Sequence, residues 1–292
     1  MSTLIDKDSF YNIFFTADNM QGQLTKMAGR LIDNQVHYQL TLADQQLDMN
    51  ALLEHKLKLT HNHTILCTAC RRITSKSFNQ GYCYPCFTKL AQCDLCIMKP
   101  ETCHYAQGTC REPDWGKAFC FQSHIVYLAN SSGIKVGITR QTQIPTRWID
   151  QGATQALPIL KTVSRYVAGL VEVVIAKHIS DKTSWQKMLK SQAEAVDLQA
   201  QRDHLLAICA KELEGIQTRF GEDAFESLAA EQSIDLVFPI AQYPDKVKSL
   251  CLSKTPEICG TLLGIKGQYL LLDSGVINLR KYTGYTVNFE SD

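Results

Sequence analysis

Cysteine carries the first recognisable chemistry in this chain. Nine of the twelve cysteines lie between residues 67 and 120. In "CTACRRITSKSFNQGYCYPC" they form two pairs, Cys67-x2-Cys70 and Cys83-x2-Cys86, separated by twelve residues. Each pair makes a tight turn that aims two thiolates at one centre, and the segment between is long enough for a hairpin that brings the second turn opposite the first. Four thiolates in a tetrahedron suit a structural Zn2+. An iron–sulfur cluster can use similar spacing, whereas a disulfide pair belongs to an oxidising compartment.

A second group follows in "CDLCIMKPETCHYAQGTCREPDWGKAFCFQSH", with Cys93, Cys96, Cys103, Cys110 and Cys120 near His104 and His124. Five thiols exceed the four that one tetrahedral ion takes. The regular wide spacing of Cys96, Cys103, Cys110 and Cys120 lets a loop-rich segment wrap a second zinc, and Cys93 could stand in for any of them. Buried free cysteines acting as small hydrophobes are the other reading. Segments this short and loop-rich bury little apolar surface, so metal binding would be coupled to folding.

Directly behind the cysteines, "HIVYLA" reads as an apolar strand, "NSSG" as a turn and "IKVGIT" as a second strand, with a helix starting near Pro145. The hairpin presents Tyr127 near Lys135, and the helix presents Arg147. Charge is distributed to match a polyanion partner. Residues 67–190 carry 16 basic and 7 acidic side chains, against 5 and 7 in residues 1–66 and 9 and 15 in residues 191–292, within a chain of net charge +1. A basic centre between acidic flanks fits a polyanion-binding surface, with phosphate contacts from Arg71, Arg72, Lys76, Arg111, Lys135, Arg140 and Arg147 and with Trp148 or Tyr127 against bases; a merely solvated face is the other reading.

The strings "IVYLA", "KVGIT" and "PTRW" resemble the core of GIY-YIG nucleases. That resemblance implies a small sheet with helices in which Tyr127 takes the place of the first tyrosine, Gly137 that of the second half-motif's glycine, and Arg147 that of the helix arginine. Glu172, in "VAGLVEVVIAKHI", stands where the family's metal-binding glutamate is expected. Lys135 replaces the second tyrosine, a departure that leaves the proton acceptor in question. Carried over, Tyr127, Lys135, Arg147 and Glu172 would form a nuclease site using Mg2+ or Mn2+. Over most of its length the chain also resembles an uncharacterised bacterial family, domain of unknown function 2797, notably in "PTRWIDQGA" and "GIKGQY".

Around this centre, "VHYQLTL" and "HKLKLT" alternate as strands do. Residues from about 184 to 220 have few breakers; Thr183 and Gln186 fit a capping box, and Trp185, Met188, Leu189, Val196, Leu205, Leu206, Leu213 and Ile216 could form a buried stripe. Beyond Ile234 short glycine-punctuated strands suggest a small barrel, and their alternation echoes the N-terminal strands, so both ends could complete one β structure; Tyr269, Arg280, Lys281, Tyr282 and Tyr285 could meet a single strand or be ordinary strand aromatics. The expected architecture is α+β. It has an N-terminal β unit (1–66), a zinc module (67–120), a GIY-YIG-like mixed sheet with helices (121–183), a helical arm (184–233) and a C-terminal β barrel (234–292). The opening "MSTLIDKDSFYNIFF" lacks the features of a signal peptide, and no apolar run approaches the ~20 residues of a membrane span, so the reading is cytoplasmic with no membrane partner. Three functions fit: nucleic-acid binding, metal-dependent phosphodiester cleavage, or a metal-stabilised scaffold for other proteins.

Overall fold

The computed structural model describes residues 19–179 and 184–292. Its N-terminal strands are β1 (Met20–Gln23), β2 (Ala28–Ile32), β3 (Gln35–Leu42), β4 (Gln45–Asp48) and β5 (Lys56–Ile65). Strict alternation drives β3, where Val36, Tyr38, Leu40 and Leu42 turn inward and their neighbours outward. Strands β2, β3 and β4 form a three-stranded antiparallel sheet.

The cysteine-rich segment has little regular structure. Among its longer elements are α1 (Tyr84–Lys89) and α2 (Pro113–Cys120), both opened by proline in the first turn. Behind it come β6 (His124–Asn130), β7 (Ile134–Arg140), α3 (Thr146–Asp150), β8 (Gln155–Thr162) and α4 (Arg165–Ala176). The order β8-β6-β7 makes β6 a central strand, and all seven of its residues are buried. Its alternate side chains serve two cores. Ile125, Tyr127 and Ala129 face the terminal β structure, while Val126 and Leu128 face α4.

The chain continues through α5 (Trp185–Met188), α6 (Leu198–Ile208), α7 (Ala210–Phe220), β9 (Phe225–Ser227) and β10 (Ile234–Asp235). Thr183, half of the expected capping box, lies outside the described residues, as does the N-terminal segment read for a signal; Ser184 caps α5 by accepting from the Lys187 amide. The long helical stretch breaks at Cys209 into α6 and α7. Leu198, Leu205, Leu213 and Ile216 pack into the same core as α4, and β9 and β10 extend the β8 edge. This segment therefore packs against the central domain.

The last strands are β11 (Glu257–Lys266), β12 (Tyr269–Leu272), β13 (Gly275–Asn278) and β14 (Tyr285–Ser291). They do not stand as a separate C-terminal barrel. A six-stranded antiparallel sheet runs β1-β14-β5-β11-β12-β13, so both ends of the chain share one sheet. The physical reason is edge pairing: the ten-residue β5 presents two rows of backbone donors and acceptors, and β14 and β11 satisfy one each.

Two close approaches lock the parts together. At Gly29 a Cβ would fall 2.5 Å from the Ile149 side chain, which seats α3 against the N-terminal sheet. At Gly169 a Cβ would fall 2.5 Å from Pro100 and 2.9 Å from the Glu101 backbone nitrogen, so α4 meets the cysteine-rich segment backbone to backbone. Gly169→Val should overpack that contact and lower stability by about 1–3 kcal/mol, measured by urea unfolding of the metal-loaded protein. An unchanged midpoint would show that the two parts do not depend on this contact.

Candidate metal centre and active site

Cys67, Cys70, Cys83 and Cys86 converge, with all four Sγ atoms within 4.8 Å of one another. Cys70 Sγ and Cys83 Sγ are 3.7 Å apart. A tetrahedron of ~2.3 Å Zn–S bonds has edges of about 3.8 Å, which the Cys70–Cys83 separation matches. The turns are built locally: the Arg71 amide donates to the Cys67 carbonyl at 2.9 Å, and Cys83 stands at the mouth of α1 as its N-cap. Burial works against a Cys67 thiolate, but the backbone amides of Cys70, Cys83 and Ala69 outweigh it and bring the group down to about 6. Burial and the neighbouring thiols push Cys86 the other way. Four thiolates crowded together are stable only around a cation.

In the second group, Cys96, Cys103, Cys110 and Cys120 line one cavity of about 20 Å³ beneath Tyr105 and Trp115. Burial, then nearby Asp94 and the other three thiols, raises Cys96 to about 11. Among the described residues of this segment, Asp94, Cys96 and His104 are the ones whose ligand atoms lie within 4.8 Å of one another; the expected set of Cys96, Cys103, Cys110 and Cys120 does not converge that closely. Asp94, though, is also held by the Arg111 Nε at 2.7 Å. Cys93 does not line the cavity; it lies toward Asn79, Arg111 and Cys67.

Tyr127 pairs in register with Gly137 across the hairpin. Its phenol lies over that glycine so closely that a Cβ there would meet the hydroxyl at 2.6 Å. A bulge between β6 and β8 at Val126/Tyr127, opposite Pro158, re-aims the strand at this point. The hydroxyl reaches Gln151 Oε1 at 3.5 Å and Arg147. Burial raises the Tyr127 pKa, with Arg147 and Gln151 pulling against it and Glu172 reinforcing it. Glu172 itself is lifted to about 7, first by burial; Arg165 and Arg147 oppose the shift and Glu101 adds to it. Arg147 thus acts on both Tyr127 and Glu172, Glu172 acts on Tyr127, Gln151 bears on the tyrosine, and Arg165 and Glu101 bear on the carboxyl. Lys135 lies two residues from Gly137 on the same strand face, opposite Ala129.

The surface residues fall differently. Arg71, Arg72 and Lys76 are exposed on the hairpin between the two CxxC pairs, while Arg140 lies over the Phe119 ring and Arg111 is paired with Asp94. Trp148 corrects the expectation of base contact: it is fully buried, edge-on to Tyr127 at 6.0 Å, and offers no face to a ligand. The amphipathic turn of α3 puts Arg147 outward and Trp148 inward, so the neighbouring residues cannot share a role. Sequence reasoning missed Gln151, one turn beyond Arg147, and Arg165 at the start of α4; the i,i+4 spacing from Arg147 signalled the first, while Arg165 gave no local signal.

Comparison with known proteins gives one family. A family model described as "Protein of unknown function (DUF2797)" matches residues 54–287, from the residues just before β5 into β14. No curated protein and no solved structure matches the chain. Among the described residues no helix is long and apolar enough to cross a membrane.

Metal content separates the two halves of this arrangement. Cys83→Ser should lose about one zinc per chain and the stability that goes with it, whereas Arg147→Ala should keep its zinc, both read by elemental analysis of protein purified without added metal. Equal zinc in wild type and Cys83→Ser would contradict the tetrathiolate centre.

Proposed function

The chain belongs to the DUF2797 family, and we propose that it is a zinc-containing nucleic-acid-binding protein with a GIY-YIG-like core that hydrolyses phosphodiesters. One observation carries the reading: across 46 positions of sequence, the Arg147 guanidinium lies close enough to act on both the buried Tyr127 hydroxyl and the Glu172 carboxyl, and Glu172 acts in turn on Tyr127. The order of elements agrees with it: an antiparallel hairpin bearing the tyrosine and glycine, a short helix bearing the arginine, then a helix bearing the glutamate.

Each group has a role that its surroundings permit. Arg147 is exposed on α3 and places a permanent cation where negative charge develops on a phosphoryl group. Glu172 is half-buried and offers carboxylate oxygens of the kind that hold Mg2+ or Mn2+. Such an ion, when bound, supplies Lewis-acid stabilisation and a more acidic water. Tyr127 stays protonated because it is buried, so its O–H donates, and the Gly137 gap lets it lie flat against the strand. Gln151 fixes the direction of that hydroxyl. Lys135 adds positive charge along the same face. The zinc module takes no part in the chemistry; through the Pro100–Gly169 contact it holds α4, and with it Glu172, in place.

The direct test is cleavage of end-labelled single-stranded and duplex RNA and DNA by zinc-loaded protein with Mg2+ or Mn2+. Wild type should cleave, and Glu172→Gln and Arg147→Ala should each lose about 10²-fold or more in rate. Glu172→Gln should still bind the polymer. Binding without cleavage by wild type would leave a binding protein on a nuclease-like core. Neither binding nor cleavage would leave a metal-stabilised scaffold.

A further inference from the structure

A cleft of about 800 Å³ opens beside the site, and Arg147 lines both. Its walls come from six places in the chain: the β1–β2 loop, the cysteine hairpin with α1, the turns that follow α1, Arg111 ahead of α2, Arg147 on α3, and the turn after β13. From this cleft we infer that the polymer is held as an unpaired strand, lying across Lys26, Arg280 and Arg147. The inference rests on the nucleic-acid reading above and specifies its ligand.

Charge supports it first. Asp150, only 6 % exposed, accepts from Lys26 Nζ at 2.8 Å and has Arg280 Nη1 at 3.7 Å. Gln268 Nε2 holds its other oxygen at 2.9 Å. One fixed carboxylate thereby gathers a lysine from the N-terminal strands and an arginine from the C-terminal ones on a single wall. Arg147 projects from the same helix as Asp150, and Arg111 lines the cleft with its own partner, Asp94. Four cations against two carboxylates leave a positive surplus suited to successive phosphates.

Apolar groups on the cleft choose between strand forms. Tyr82 and Phe87 are half-buried in its wall, and Leu95 and Met98 stand on it 61 % and 77 % exposed. Such surfaces, set among phosphate-binding cations, gain nothing from a duplex whose bases are stacked inside, but they match the faces of unpaired bases. The volume agrees: it falls in the ~300–1,000 Å³ range of ligand clefts, room for a few nucleotides and not for a double helix. A phosphate resting on Lys26 and Arg280 also leaves the next segment of strand at Arg147, the entrance to the Tyr127 and Glu172 site.

The test is fluorescence anisotropy of full-length, zinc-loaded protein without Mg2+ or Mn2+, titrated over salt. Probes are labelled twelve-nucleotide oligo(dT) and oligo(U) and a hairpin duplex of matched charge. Wild type should prefer the single strands. The pair Lys26→Gln and Arg280→Gln should weaken them about tenfold or more and reduce the slope of log affinity against log salt by about 1.4, near 0.7 for each phosphate no longer neutralised. Lys246→Gln, away from the cleft, should change neither. Because the paired substitutions unpair Asp150, Met98→Glu serves as a variant with no folding load; it should weaken binding about fivefold by placing a like charge beside the strand. Wild-type affinity in both the double variant and Met98→Glu would overturn the cleft while leaving nucleic-acid binding intact. Tighter binding of the duplex would overturn the unpaired strand. Binding of none of the probes would refute the reading beneath it as well.

Discussion

Four thiols must be brought to one point for the middle of this protein to hold any shape. Between residues 66 and 123, Pro100 aside, the fully buried apolar side chains are Cys67, Cys83, Ala91 and Cys93. That is far too little to offset the ordering of nearly sixty residues at roughly 1–2 kcal/mol each. The convergence of Cys67, Cys70, Cys83 and Cys86 supplies what a hydrophobic core would supply elsewhere. Everything the segment touches inherits that constraint: its hairpin abuts the C-terminal sheet near Thr283, and its later turns press on α4 at Gly169.

The site beside that contact is an exercise in competing electrostatics: Glu172 lies one turn on from Gly169, and Glu101 of the cysteine-rich segment acts on it. Burial alone favours a neutral Tyr127 and a neutral Glu172, and Arg147 opposes it at both. A carboxylate poised near neutrality, within reach of Arg147 and Arg165, is poorly suited to structural pairing, since no ion pair at 4.0 Å or less is formed by Glu172 among the described residues. It is well suited to a ligand that brings its own charge.

Legibility in the sequence followed the range of the interactions. The CxxC spacing, the 124–140 hairpin and the helix at 146–150 are set by residues a few positions apart, and they stand where the spacing puts them. The clustering of Tyr127, Arg147 and Glu172 was open only to family resemblance, because nothing in their spacing brings β6, α3 and α4 together. Trp148 misled because an aromatic next to an arginine looks like a paired recognition element, whereas a helix sends adjacent residues to different faces. The shared terminal sheet was legible only as matching alternation at the two ends, without its strand order, and the Lys26–Asp150–Arg280 wall was not legible at all, since both join residues more than a hundred positions apart. No local pattern encodes such pairings.

Anomalous diffraction from crystals of the zinc-loaded protein soaked in Mn2+ addresses the central claim, that a thiolate-held module positions a separate phosphodiester site. Data at the zinc edge should place an ion among Cys67, Cys70, Cys83 and Cys86, and data at the manganese edge should place a second at the Glu172 carboxylate, beside Tyr127 and Arg147. Zinc in its place with no manganese at Glu172, or manganese bound only elsewhere, would contradict the account.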